Sequence, residues 1–165
     1  KVKLGVINFH HSYKLKYKGR HCSTWVIRNR EEYHGSTIHY IDEKVDEGKI
    51  IDTEKFKVEN HHTAEDLFFI ANDIGLGLLK KNFNKIIRCE SINFIEKASD
   101  SLVYRERDIS HEISTDFITD SASLLREVKS LTFSKKPAPY FLIDGQKVYL
   151  KHESCDSGFL GEQKA

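Results

Sequence analysis

The stretch Gly5-Val6-Ile7-Asn8-Phe9-His10-His11-Ser12 decides how this chain is read. Residues 2–9 are short and rich in apolar side chains, as in an interior strand, and they run into a polar loop. Asn8 and His10 lie two apart, so on an extended strand end both project from one face. A second stretch, Thr37-Ile38-His39-Tyr40-Ile41-Asp42-Glu43-Lys44-Val45-Asp46-Glu47-Gly48, reads as a strand over residues 36–41 and a loop closed by a turn at Asp46-Glu47-Gly48. An amide, an imidazole and a carboxylate are what transfer of an acyl group to an amine requires. Asn8 would polarise the carbonyl, His10 would move protons, and Asp46 would set the charge on the imidazole.

The surrounding sequence alternates strand and helix signals, which predicts an α/β fold. Between the two stretches lies a basic loop with Lys14, Lys16, Lys18 and Arg20, turned at Gly19, then a short helix around Trp25-Val26-Ile27. Residues 50–58 read as a third strand. Thr63 caps a helix with Glu65 and Asp66 in its first turn, and Leu67, Ile70, Ile74, Leu78 and Leu79 carry its apolar spacing towards Ile86. Gly75 and Gly77 each cost this helix about 1 kcal/mol relative to alanine, either for close packing on the sheet or as a weak spot. A linker at Ser99-Asp100-Ser101 divides residues 1–98 from a small region, 99–165. That region holds a helix over residues 121–131, capped at Asp120 or Ser121, a hairpin over residues 140–151 turning at Asp144-Gly145, and a polar tail from Glu153.

Composition narrows the class. With 165 residues, 39% hydrophobic and 31% charged, the chain can build a globular core. A net charge of +1 gives no basic field for nucleic acid. No apolar run approaches the roughly 20 residues of a membrane helix, so no membrane span is expected. Cys22, Cys89 and Cys155 are odd in number and lack ligand spacing, which reads as free thiols in a cytoplasmic compartment. The histidine pairs 10/11, 34/39 and 61/62 fit no zinc signature, so no metal is expected. The absence of methionine and the start in a strand read as a processed or truncated polypeptide with upstream sequence missing.

The two stretches resemble the folate-dependent formyltransferases. Asn8-Phe9-His10-His11-Ser12, Tyr17-Lys18-Gly19-Arg20-His21 and Trp25-Val26-Ile27 are similar to that family's Asn-x-His-x-Ser element, Tyr-Arg/Lys-Gly loop and tryptophan-containing helix. Thr37, His39, Asp42, Asp46 and Gly48 follow its second element in register. His11, Lys16 and Cys22 stand where the family often has proline, which alters loop rigidity and leaves Asn8, His10 and Asp46 intact. Tyr104-Arg105-Glu106-Arg107-Asp108, Leu131-Thr132-Phe133 and residues 140–147 resemble, more loosely, the C-terminal part of sugar-nucleotide N-formyltransferases.

The resemblance implies the C-terminal portion of a Rossmann-like domain, with a mixed or parallel sheet flanked by helices, followed by a helix-and-hairpin extension; the N-terminal half would be missing. It implies Asn8, His10 and Asp46 as the catalytic set. Ile41, Asp42, Val45 and Asp46 would seat the folate through main-chain hydrogen bonds. The co-substrate would be 10-formyltetrahydrofolate and the acceptor a dTDP-linked amino-dideoxy sugar for surface polysaccharide, in a homodimer. His39, Lys18, Arg20, Phe133 and Tyr140 are candidate substrate ligands; as bare residues, His39 reads equally as a structural histidine, whereas Lys18 and Arg20 read first as a solvated basic loop and Phe133 and Tyr140 first as hairpin packing. Methionyl-tRNA and glycinamide ribonucleotide formyltransferases are the alternatives, with a non-catalytic binding module outside enzymology. Residues 91–165 carry ten Lys or Arg against twelve Asp or Glu, which disfavours a tRNA-binding surface.

Overall fold

A computed structural model describes residues 5–98 and 102–152. The first residues of the expected strand, the expected linker at 99–101, the tail from Glu153 and Cys155 lie outside the described residues. In chain order the elements are β1 (Ile7–His10), β2 (Lys18–Gly19), α1 (Cys22–Arg28), β3 (Tyr33–Tyr40), β4 (Ile50–Lys57), α2 (Ala64–Ile87), β5 (Val103–Tyr104), α3 (Ser121–Leu131), β6 (Tyr140–Ile143) and β7 (Gln146–Tyr149).

The chain is α/β, with mixed pairing. The main described sheet has the order β1-β3-β4 and is antiparallel throughout, while the short β2-β5 ladder is parallel. The parallel alternative therefore does not describe this sheet, and among the described residues β1 stands at its edge. Strand register brings polar side chains together on one face of this sheet. Asn8 sits opposite His39 and His10 opposite Thr37, so the two site residues of β1 share a face with His39. Ile7 and Ile38 belong to an apolar cluster with Ile51, Leu78 and Ile86 under α2.

Helix α2 starts where the sequence signal placed it. Thr63 Oγ1 accepts from the Asp66 N–H while Asp66 accepts from the Thr63 N–H at 2.8 Å, a reciprocal capping box. Leu67, Leu78 and Ile86 are buried, each contributing roughly 1.5–3 kcal/mol of apolar burial. Ile70, Ile74 and Leu79 are only half-buried. The inward row includes a polar residue that periodicity did not suggest: buried Asn82 donates to Asp52 Oδ2 at 2.8 Å and to the Leu78 carbonyl at 2.9 Å. Gly75 lies against β3, where a Cβ would come 2.9 Å from Ser36 Oγ, whereas nothing lies within 4 Å of one at Gly77. Gly75 thus allows close packing and Gly77 only weakens the helix.

Helix α3 is capped by Asp120, whose Oδ1 accepts from the Ser123 N–H at 2.6 Å. Its Val128 and Leu131 form a small core with Ile113. The C-terminal residues pack onto the first ninety: Tyr104 stacks on Trp25 with ring centroids 4.4 Å apart, and Arg28 Nη2 pairs with Glu127 Oε2 at 2.9 Å. The hairpin β6-β7 turns at Asp144-Gly145, both with positive φ, as the sequence signal indicated. Among the described residues, no helix is long and apolar enough to cross a membrane.

Candidate active site

Asp46 is the hub on which the site is assembled. It occupies the left-handed region, φ 50°, in the loop between β3 and β4, and its side chain is 9% exposed. Oδ2 accepts from the Gly19 N–H at 2.7 Å and lies 3.3 Å from His10 Nδ1. Oδ1 accepts from Asn8 Nδ2 at 3.3 Å and lies 3.4 Å from His39 Nε2. The three expected catalytic side chains therefore meet, and His39 joins them because strand register sets it opposite Asn8.

Two glycines permit this loop geometry. Gly48 passes so close to β3 that a Cβ would fall 1.5 Å from the Tyr40 carbonyl oxygen. Gly19, at φ 83°, would put a Cβ 2.1 Å from the Tyr104 carbonyl oxygen. Beside them, β2 holds the loop at two successive residues. Gly19 donates to Asp46, and the ammonium of buried Lys18 pairs with Glu47. Lys97 adds a second cation on Glu47 at 2.9 Å, and these pairings hold the Glu47 carboxyl down at about 2.

His10 is 6% exposed and its Nε2 faces the Tyr17 carbonyl. Burial lowers its pKa below 6.5; Asp46 and the Tyr17 carbonyl push the other way without winning, and His39 adds to the lowering. The upward influence expected from Asp46 is present, but desolvation is larger. For Asp46, burial acts upward, yet the His39 hydrogen bond, the His10 charge and the Gly19 N–H outweigh it and lower the carboxyl pKa. His39 Nδ1 lies 2.8 Å from the Tyr40 carbonyl oxygen. Cys22 Sγ lies 3.5 Å from His10 Nε2, and burial raises its thiol to about 12, so it stays protonated.

A cleft of about 620 Å³ opens over Asn8, His10 and Asp46 and reaches Phe68, Phe133 and Lys136. Of the expected folate residues, Val45 and Asp46 line this cleft, whereas Ile41 and Asp42 are exposed outside it. Of the expected substrate ligands, Arg20 and Phe133 line it. Lys18 does not; it is buried in its ion pair with Glu47. Tyr140 lies in the hairpin, its ring 5.6 Å from that of Tyr149. His39 sits beneath Asn8 and is 2% exposed. The sequence reading missed the Gly19 N–H, Phe68 and the group His21, Glu106, His111 and Lys136, all on the cleft wall. Of these, His21 and Glu106 lie in the motifs beginning at Tyr17 and Tyr104, without being singled out. Among the described residues no cluster of His, Cys, Asp or Glu has the arrangement of a metal site.

An α/β scaffold thus presents the half-buried amide of Asn8, the buried imidazole of His10 and the carboxylate of Asp46 to one cleft, groups that acyl transfer can use. Residues 1–73 match the Formyl transferase family. It is 34% identical over 85 residues to a methionyl-tRNA formyltransferase of Clostridium tetani, covering 52% of this chain and 27% of that protein. The structure of an N-formyltransferase from Helicobacter canadensis, with folinic acid and dTDP-3-aminofucose, is matched at 28% identity and TM-score 0.73, over 87% of this chain and 52% of that one. A 4-N formyltransferase from Francisella tularensis shares the fold with TM-score 0.81 at 24% identity, over 90% and 62%. The chain spans between about a fifth and under half of the first curated relatives it matches.

Proposed function

We propose that the protein transfers a formyl group from 10-formyltetrahydrofolate to the amine of a nucleotide-linked amino sugar, the nucleotide being dTDP. The observation that carries this is the convergence of Asn8, His10 and His39 on the carboxylate of Asp46 at the floor of one cleft. The Helicobacter canadensis structure, with its folate and dTDP-amino sugar, supports the choice of co-substrates.

The groups at the site dictate the chemistry. The amine attacks the formyl carbon, and negative charge builds on the formyl oxygen as the C–N bond forms. Asn8 Nδ2 carries two hydrogens; one is turned to Asp46, and because Nδ2 also lies 3.3 Å from His39 Nε2, the second serves that oxygen by giving up the His39 contact. A single such donor is worth on the order of 3 kcal/mol in the transition state. His10 rests neutral with one ring proton, while both of its nitrogens face acceptors, Asp46 and the Tyr17 carbonyl. A second proton satisfies both, so the ring is poised to take up the proton released by the attacking amine. Asp46 relays it, and collapse of the intermediate returns it to N10 of tetrahydrofolate as the C–N10 bond breaks. Val45 and the backbone beside Asp46 place the folate, and Arg20 and Phe133 contact the nucleotide sugar.

The 34% identity to the Clostridium tetani protein favours methionyl-tRNA as the competing acceptor. The test supplies the protein with 10-formyltetrahydrofolate and either a dTDP-linked amino sugar or methionyl-tRNA. Formylated sugar amine is the expected product. Formylation of methionyl-tRNA alone would overturn the acceptor assignment.

A further inference from the structure

The far wall of the cleft carries a group of charges that the acyl-transfer chemistry does not use. Arg20 Nη1 donates to Glu106 Oε2 at 2.9 Å, and Lys136 Nζ donates to Glu106 Oε1 at 3.3 Å. His21 Nε2 lies 3.1 Å from the same Oε2 but makes no hydrogen bond, and His111 Nδ1 is buried without a partner. All five residues line the cleft that holds Asn8, His10 and Asp46. Two permanent cations and the His21 imidazole thus surround a single carboxylate, with the His111 imidazole on the same cleft wall and unpartnered ring nitrogens on both histidines.

We propose that Glu106 is an internal stand-in for an anion, occupying a seat that a diphosphate group takes over when substrate binds. A diphosphate offers more oxygens and more charge than one carboxylate, so it satisfies the His21 and His111 nitrogens as well as Arg20 and Lys136. Displacing Glu106 is cheap, because its side chain is 55% exposed and ion pairs at such sites contribute little. Glu106 stands at the start of a single 3₁₀ turn, residues 106–108, next to β5, so side-chain rotation alone vacates the seat. The pairs hold the Glu106 carboxyl down at about 2, which keeps the stand-in charged at every working pH. By competing for the seat, Glu106 rejects weak monovalent anions and sets the affinity for the substrate. Naming the anion as a diphosphate rests on the nucleotide-sugar reading of the proposed function.

Titration calorimetry with inorganic pyrophosphate tests the seat without any acyl transfer. Glu106→Gln should tighten pyrophosphate binding by about threefold to fivefold, through loss of the competing charge. A double Arg20→Gln, Lys136→Gln variant should weaken it by at least about tenfold, and both differences should shrink as salt is raised. Thermal melts confirm that each variant is folded. The proposal is overturned if Glu106→Gln binds within about twofold of the parent, if the double variant binds as tightly as the parent, or if no variant binds at millimolar pyrophosphate. A protein that shows the expected binding but forms no formylated sugar refutes the proposed function and leaves the seat standing.

Discussion

Asp46 organises its neighbours because a single carboxylate has enough lone pairs to accept from Gly19 and Asn8 while facing two imidazoles. Replacing it by asparagine removes the charge that supports the His10 imidazolium. Asp46→Asn should lower the rate of formyl transfer on the order of 10³-fold. It should also move the His10 titration, followed by NMR, further down from its already lowered position. An unchanged titration would mean that Asp46 does not act through His10. On the proposed function, Asn8→Ala should cost about 10²-fold in kcat with little change in KM, because the hydrogen bond it would supply would strengthen only as charge develops on the formyl oxygen. A loss confined to KM would make Asn8 a binding residue.

At the scale of elements, the loop between β3 and β4 depends on backbone proximity more than on side chains. Gly48→Ala forces a methyl group into the Tyr40 carbonyl and must shift the turn that carries Asp46. A loss of about 2–3 kcal/mol in chemical denaturation is expected, together with loss of activity. Wild-type stability in that variant would show the loop to be adaptable. The same dependence explains what could be read from the chain alone. Caps, periodicities and the Asp144-Gly145 turn are local signals, and they placed α1, α2, α3 and the hairpin. Asn8, His10 and Asp46 were legible because they lie in two short motifs with a fixed frame. The Gly19 N–H on Asp46 was not legible, since a backbone donor leaves no trace in residue identity. Nor was the burial of Lys18, because its partner Glu47 is 29 residues away and solvation depends on the packed structure. Pairing direction was likewise open, since a short apolar strand reads the same in parallel and antiparallel ladders.

Over the whole molecule, burial is uneven. Phe69, Leu76, Phe83 and Ile87 form an exposed row along α2, and Val6 and Phe9, at and just before β1, are exposed as well. Elsewhere the interior holds histidines that resist charging: burial, with lesser help from His11 and His10, pushes His34 down to about 3, and burial with the His10 charge pushes His11 down to about 4. Both folded values lie below 6.5, so the unfolded chain binds more protons in the window beneath it. Stability should therefore be full above pH 6.5 and fall as pH drops towards 4 and then 3, with His34 contributing a slope of about 1.4 kcal/mol per pH unit. His34→Gln should flatten that slope in urea titrations run from pH 7.5 to 5; an unaltered slope would place the acid sensitivity elsewhere. Whether the Asn8, His10 and Asp46 cluster moves a formyl group is decided by single-turnover transfer from 10-formyltetrahydrofolate to a dTDP-linked amino sugar, comparing the protein with a folded His10→Ala variant. Formylated sugar is expected from the parent, and a rate lower by at least about 10²-fold from the variant; equal rates, or no product from either, would contradict that assignment.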